Sequence, residues 1–195
     1  MIRPAELADP ANRGSSGCCS WLSDMAVMSP QGELLPAGSM GEVVVRGDLV
    51  MTGYWQMPDK TAETIVDGWL HTGDVGYIDE RGYLFIKDRL RDVVITGGFN
   101  VYPVDVEGAL CQHPAVYEAC VFGLPHDKWG EAVHAAVQLK PGVDVAQDEL
   151  MQHVKTLLGG VHTPKAIHFM EQLPRSSVGK VLKKDVRESL LVPPA

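Results

Sequence analysis

The chain has 195 residues, 45% of them apolar and 22% charged, with a formal net charge of −8. That length allows one or two domains with a real core, and that apolar content excludes a disordered chain. The acidic balance speaks against a nucleic-acid surface or a polybasic membrane surface. No apolar run approaches the ~20 residues of a spanning helix, and no signal peptide is read at the start. The cysteines, Cys18, Cys19, Cys111 and Cys120, form no C-x-x-C, and no histidine pair has zincin spacing, so no metal site is expected. A reducing, cytoplasmic setting fits them best.

In chain order, residues 1–20 read as a tail or truncated segment, because Pro4, Pro10, Gly14, Ser15, Ser16 and Gly17 crowd together. Strands are expected over 25–29 and 41–46, with turn residues Pro30, Gln31, Gly32, Pro36 and Gly38 between them. A short helix is expected over 58–66. Strands over 75–79 and 83–87 flank Glu80-Arg81-Gly82 as a hairpin. Residues 21–90 therefore read as a small, mainly antiparallel β unit.

After Asp92 the pattern changes. A short β-branched strand is expected over 93–96 and a helix over 103–112, with Pro103 in its first turn. Strands follow over 115–122 and 132–139. A helix over 147–158 stops at Gly159-Gly160, a strand spans 166–170, and a last helix spans 181–190. Residues 91–195 read as a compact α+β domain, so the whole chain is α+β. No repeat or low-complexity tract interrupts it.

Several residues stand out for chemistry. Asp74 closes Gly68-Trp69-Leu70-His71-Thr72-Gly73-Asp74 at a glycine; an acid there either caps a turn or accepts hydrogen bonds from a ribose diol. Lys87-Asp88-Arg89-Leu90-Arg91-Asp92 alternates charge, as an ion-paired connector would. It runs into Ile95-Thr96-Gly97-Gly98-Phe99-Asn100, a glycine pair suited to a hairpin or to close approach of a ligand. Trp129, beside Gly130 in a polar loop, is either a partly buried anchor or a stacking face for a base. Lys180 ends Pro174-Arg175-Ser176-Ser177-Val178-Gly179-Lys180, and Lys183, Lys184 and Arg187 follow it. A lysine at a helix start opposes the macrodipole, which favours a task for it elsewhere. None of the seven histidines shows an acid or base partner in the sequence, so each reads as a surface or core residue.

Together the segments around Asp74, Arg89 and Lys180 resemble the C-terminal part of AMP-forming acyl-CoA synthetases, the adenylate-forming ligase superfamily. The resemblance covers about 14–191, and Asn100, Tyr102, Pro103 and Glu107 fit its G-G-x-N-x-Y-P-x-x-x-E pattern. It implies that 21–90 are the β-rich end of the N-terminal adenylation domain and 91–195 the mobile C-terminal domain. It implies that Asp74 and Arg89 bind the ribose and phosphate region of ATP or AMP. Arg91 takes the hinge position, where many relatives have Asp or Lys. Gly97 and Gly98 line the pantetheine path, where many relatives have an acid at the place of Phe99. The resemblance further implies that Trp129 stacks on the CoA adenine, that Lys165 meets the CoA phosphates, and that Lys180 is catalytic.

The implied reaction joins a carboxylic acid to AMP from ATP with Mg, then passes the acyl group to CoA. The glycine/serine/threonine loop with lysine that cradles triphosphate is not found; Gly14-Ser15-Ser16-Gly17 has no lysine. The chain alone is therefore expected to be inactive, with ATP and Mg held mostly by a region it lacks. A different reading is a non-catalytic module that binds CoA or a partner protein.

Overall fold

The computed structural model describes residues 4–191. Residues 1–3 of the expected tail and 192–195 of the expected last domain lie outside the described residues. The chain divides into two compact units directly after Arg91.

The first unit is built on an antiparallel sheet. Its helices are α1 (Pro4–Leu7) and α2 (Pro58–Thr64). Its strands are β1 (Gly17–Cys18), β2 (Ser23–Met28), β3 (Gly41–Gly47), β4 (Ile65–Val66), β5 (Trp69–Ile78) and β6 (Tyr83–Arg89). They lie in the order β1-β6-β5-β3-β2, with β4 on β5. Val27, Val43, Val44, Trp69, Val75 and Leu84 are buried. The β5–β6 hairpin closes through the Asp79 carboxylate, which accepts the amides of Arg81 (3.0 Å) and Tyr83 (2.9 Å).

Three local differences from the sequence reading have physical causes. Residues 15–18 are not free of the fold: the Ser16 amide donates to Leu84 O at 2.8 Å, and β1 pairs with β6. The helix expected to reach 66 stops at Thr64, because β-branched Ile65 and Val66 pair with Leu70 and Trp69. Asp67 (φ 49°) and Gly68 (φ 79°) form the two-residue turn between them. Trp69 to Asp74 consequently lie within a strand instead of ending at a turn.

The second unit packs helices on both faces of a mixed sheet. Its strands are β7 (Val94–Thr96), β8 (Phe99–Val101), β9 (Val116–His126), β10 (Gly130–Leu139) and β11 (Ala166–Phe169). Its helices are α3 (Pro103–Cys111), α4 (Gln147–Leu158) and α5 (Lys183–Leu191). β9 and β10 form a long antiparallel hairpin, β11 runs parallel to β10, and β7 meets β10 at Thr96 and Gly130. Strand alternation sorts the core into two layers. Val133, Ala135 and Val137 of β10 pack with Val106 and Leu110 of α3 and Leu150 and Val154 of α4. Ala136, between them, packs with Cys120, Phe122, Leu173 and Val186 of α5. The chain is α+β, as the element pattern indicates.

Candidate functional site

In the first unit, Asp74 and Arg89 face each other across the β5–β6 ladder. Arg89 Nε donates to Asp74 Oδ1 at 2.9 Å. Among the described residues no side chain takes Oδ2, which is left as an acceptor. The strand segment before Asp74 is held from its other side. The Glu42 carboxylate accepts the Gly73 amide at 3.1 Å and meets His71 Nδ1 at 2.8 Å. The Thr72 hydroxyl donates to Val43 O at 2.7 Å and accepts the Asp74 amide at 3.1 Å. His71 therefore has an acid partner, contrary to the sequence reading, and so does His113, whose Nε2 lies 3.3 Å from Glu149. Those partners lie 29 and 36 positions away, so no local pattern announces them.

Arg91, exposed in the short 3₁₀ turn over Leu90–Asp92, is the last residue before the boundary between the units. In the second unit, Gly97 (φ 57°) and Gly98 (φ 84°) make the tight β7–β8 turn, whose torsions suit glycine at both positions. The Gly97 amide donates to Trp129 O at 2.9 Å, which ties this turn to the β9–β10 turn. The Trp129 indole stacks on His126 with ring centres 4.3 Å apart, and Lys165 Nζ sits over it at 4.8 Å. Gly97, Trp129 and Lys165 share an open cleft of about 320 Å³ with Thr96, Phe99, Gly160 and Val161. Gly98 adjoins this cleft without lining it. His126 is the neighbour of Trp129 that the sequence does not announce.

Lys180 lies elsewhere in the second unit, on an exposed loop before α5. Its backbone pairs with Ser176: the Ser176 amide donates to Lys180 O at 2.8 Å. Its ammonium has no acidic partner among the described residues. Neighbouring Lys183 is different, since its Nζ is 2.9 Å from Glu107 Oε1. The same Glu107 oxygen accepts the Val121 amide at 2.8 Å. β9 is an edge strand and Val121 is fully buried, so this carboxylate caps an amide that points off the sheet.

Two further groups bear on chemistry. His134 Nδ1 and His168 Nε2 are 3.1 Å apart on β10 and β11. Burial, and for His134 also its histidine neighbours, lowers both pKa values below the ordinary 6.5. Burial pushes the Cys120 thiol up to about 12, which makes it a packing residue. Among the described residues, no cluster of three His, Cys, Asp or Glu side chains is placed to hold a metal ion. No helix there is long and apolar enough to cross a membrane.

Residues 105–180 match the AMP-binding enzyme C-terminal domain family. The chain carries the C-terminal domain of AMP-binding enzymes. It is 43% identical over 174 residues to the feruloyl-CoA synthase of an Amycolatopsis species, covering 89% of this chain and 35% of that protein. It is 43% identical over 176 residues to the long-chain-fatty-acid–CoA ligase of Bacillus subtilis strain 168, covering 90% and 31%. Among solved structures, ATP-bound MatB from Rhodopseudomonas palustris is similar, with a TM-score of 0.84 and 39% identity over 90% of this chain and 35% of that one. The chain thus spans about a third of the length of the curated relatives it matches.

Proposed function

We propose that this chain is the closing part of an AMP-forming acid–thiol ligase, with Lys180 serving adenylation and the Trp129 cleft serving thioester formation. In the first half-reaction a carboxylate oxygen attacks the α-phosphorus of ATP, the bond to pyrophosphate breaks, and acyl-AMP forms. Anions are brought together in that step. An unpaired ammonium on a flexible stem offsets their repulsion as charge shifts to the leaving group. The observation that carries this reading is the exposed Lys180, whose ammonium has no acidic partner among the described residues, beside a Lys183 paired with Glu107. Asp74 Oδ2 accepts from the ribose hydroxyls while Arg89 holds the carboxylate in place. Magnesium would arrive with the ATP phosphates; the described residues offer no cluster to bind it, and no step here runs through it.

In the second half-reaction the CoA sulfur attacks the acyl carbonyl, AMP leaves, and the thiol proton passes to solvent. Gly97 leaves room for a pantetheine arm, and Trp129, stacked on His126, takes adenine in the place over the indole that Lys165 vacates when its ammonium turns to phosphate. The second unit turns about Arg91 between the two steps, since an exposed polar residue can change backbone torsions while staying solvated. Similarity to a feruloyl-CoA synthase and a fatty-acid–CoA ligase supports CoA as the acceptor. The ligase that carries this chain should show acid-dependent ATP–pyrophosphate exchange without CoA, and AMP release with it. Exchange that proceeds without any carboxylic acid contradicts the proposal.

A second reading has one observation in its favour: the cleft of Gly97, Trp129 and Lys165 lies wholly within the second unit. A CoA-binding module would need nothing more. Calorimetric titration of the 195-residue chain with CoA tests it, and a flat titration rejects it.

A further inference from the structure

The peptide bond that leads into Lys180 is fixed at both of its polar ends by side chains. Its carbonyl, that of Gly179, accepts from Arg175 Nη1 at 2.8 Å. Its amide, that of Lys180, donates to Ser176 Oγ at 3.2 Å. The other guanidinium arm of Arg175, Nη2, is bound by Glu118 on β9. The loop backbone turns back on itself within this frame. Gly179 (φ 82°) donates to Ser176 O at 2.8 Å, the Leu182 amide donates to Pro174 O at 2.9 Å, and Arg175 bridges to Val181.

An ion pair whose side chains are 32% and 29% exposed adds little to stability, so Glu118–Arg175 is poorly explained as a fold-stabilising contact. Geometry explains it better. A guanidinium presents several donors in a planar fork, and here one arm reads a rigid strand while the other holds a loop carbonyl. The four-carbon stem of lysine is flexible, so the place its ammonium reaches depends on how firmly its Cα is held. We infer that Glu118, Arg175 and Ser176 are positioning residues for Lys180: they lock the Gly179–Lys180 peptide plane to β9 and so aim the ammonium for adenylation. This rests on the role proposed for Lys180 above. None of the three touches the reacting atoms. The sequence placed Arg175 and Ser176 in the lysine motif but gave no sign of Glu118, which lies 57 positions before Arg175.

The test uses Glu118→Gln, Arg175→Lys and Ser176→Ala in the ligase that carries this chain, with Lys180→Ala as reference. Arg175→Lys keeps the charge but offers one point donor where two directions must be served. Each of the three should lower kcat for pyrophosphate exchange by about tenfold, within the range that small misplacements cost. KM for ATP, thioester formation from supplied acyl-AMP, and the unfolding midpoint should stay at wild-type values. In the 195-residue chain itself, Glu118→Gln should speed hydrogen exchange at the Lys180 amide while leaving Val121 protected. Unchanged kcat in all three variants overturns the inference, as does a loss shared equally by both half-reactions. If Lys180→Ala leaves exchange intact, the role of the lysine itself is wrong; if it abolishes exchange and the three variants do not, only the positioning is wrong.

Discussion

Replacing Glu107 by alanine strips two groups of a partner at once. The Val121 amide, on a fully buried residue of an edge strand, loses its acceptor. An orphaned buried donor costs about 1–3 kcal/mol. The Lys183 ammonium loses a 2.9 Å ion pair whose side chains are 28% and 20% exposed. Screening by solvent holds that share to about 1 kcal/mol or less. The sum is about 1–4 kcal/mol. Glu107→Gln keeps a carbonyl oxygen for Val121 and loses only the charge, so it should cost about 1 kcal/mol. Urea unfolding of the chain measures both, and hydrogen exchange at the Val121 amide reports the bond directly. If glutamine is as costly as alanine, or if alanine costs under about 0.5 kcal/mol, the edge-capping role assigned to this motif glutamate is wrong.

Other perturbations have equally definite outcomes. His134 and His168 have folded pKa values below 6.5, so the folded state resists protonation that the unfolded chain accepts. Their contribution to stability is present above 6.5 and is lost as pH falls toward their folded values; His168→Gln should flatten the decline of the melting temperature in that window. Cys19 is exposed and should react with a thiol reagent at pH 8, whereas Cys120, near 12, should react only after denaturant is added. Trp129→Ala should weaken CoA binding by about 5- to 150-fold in Kd, the loss of ~1–3 kcal/mol of base stacking, as read by calorimetry. Unchanged affinity would remove Trp129 from the nucleotide site.

Much of the fold was legible because single elements carried strong local signals. Pro103 opens α3 at a first-turn position, and Gly159 (φ 83°) ends α4 in the left-handed region. The alternating run of β10 separates Val133, Ala135 and Val137 from Ala136, and the structure buries them in two layers. The Asp67-Gly68 turn is legible too, but the helical look of 58–66 takes in Ile65 and Val66, which pairing with β5 makes a strand. The pairing of Gly17 and Cys18 depends on Leu84 and Tyr83, far along the chain, so no local rule reveals it.

The candidate site divides the same way. Asp74, Arg89 and Lys180 stand in separate, widely spaced motifs, and their residue types suit the hydroxyls and phosphates of a nucleotide. What holds them does not show in the sequence. Glu42 reaches His71 and Gly73 from another strand, and Glu118 reaches Arg175 from β9. His126 was visible as a residue but not as a stacking partner, since the stack depends on the turn that brings it within 4.3 Å of Trp129.

Lys180→Ala separates the two half-reactions. In the ligase that carries this chain, acid-dependent ATP–pyrophosphate exchange and thioester formation from supplied acyl-AMP are measured side by side. Exchange should fall by about 10²–10³-fold, as when a preorganised transition-state contact is removed, while thioester formation stays near wild type. Equal loss of both half-reactions, or an exchange rate that survives the substitution, would contradict that division of labour.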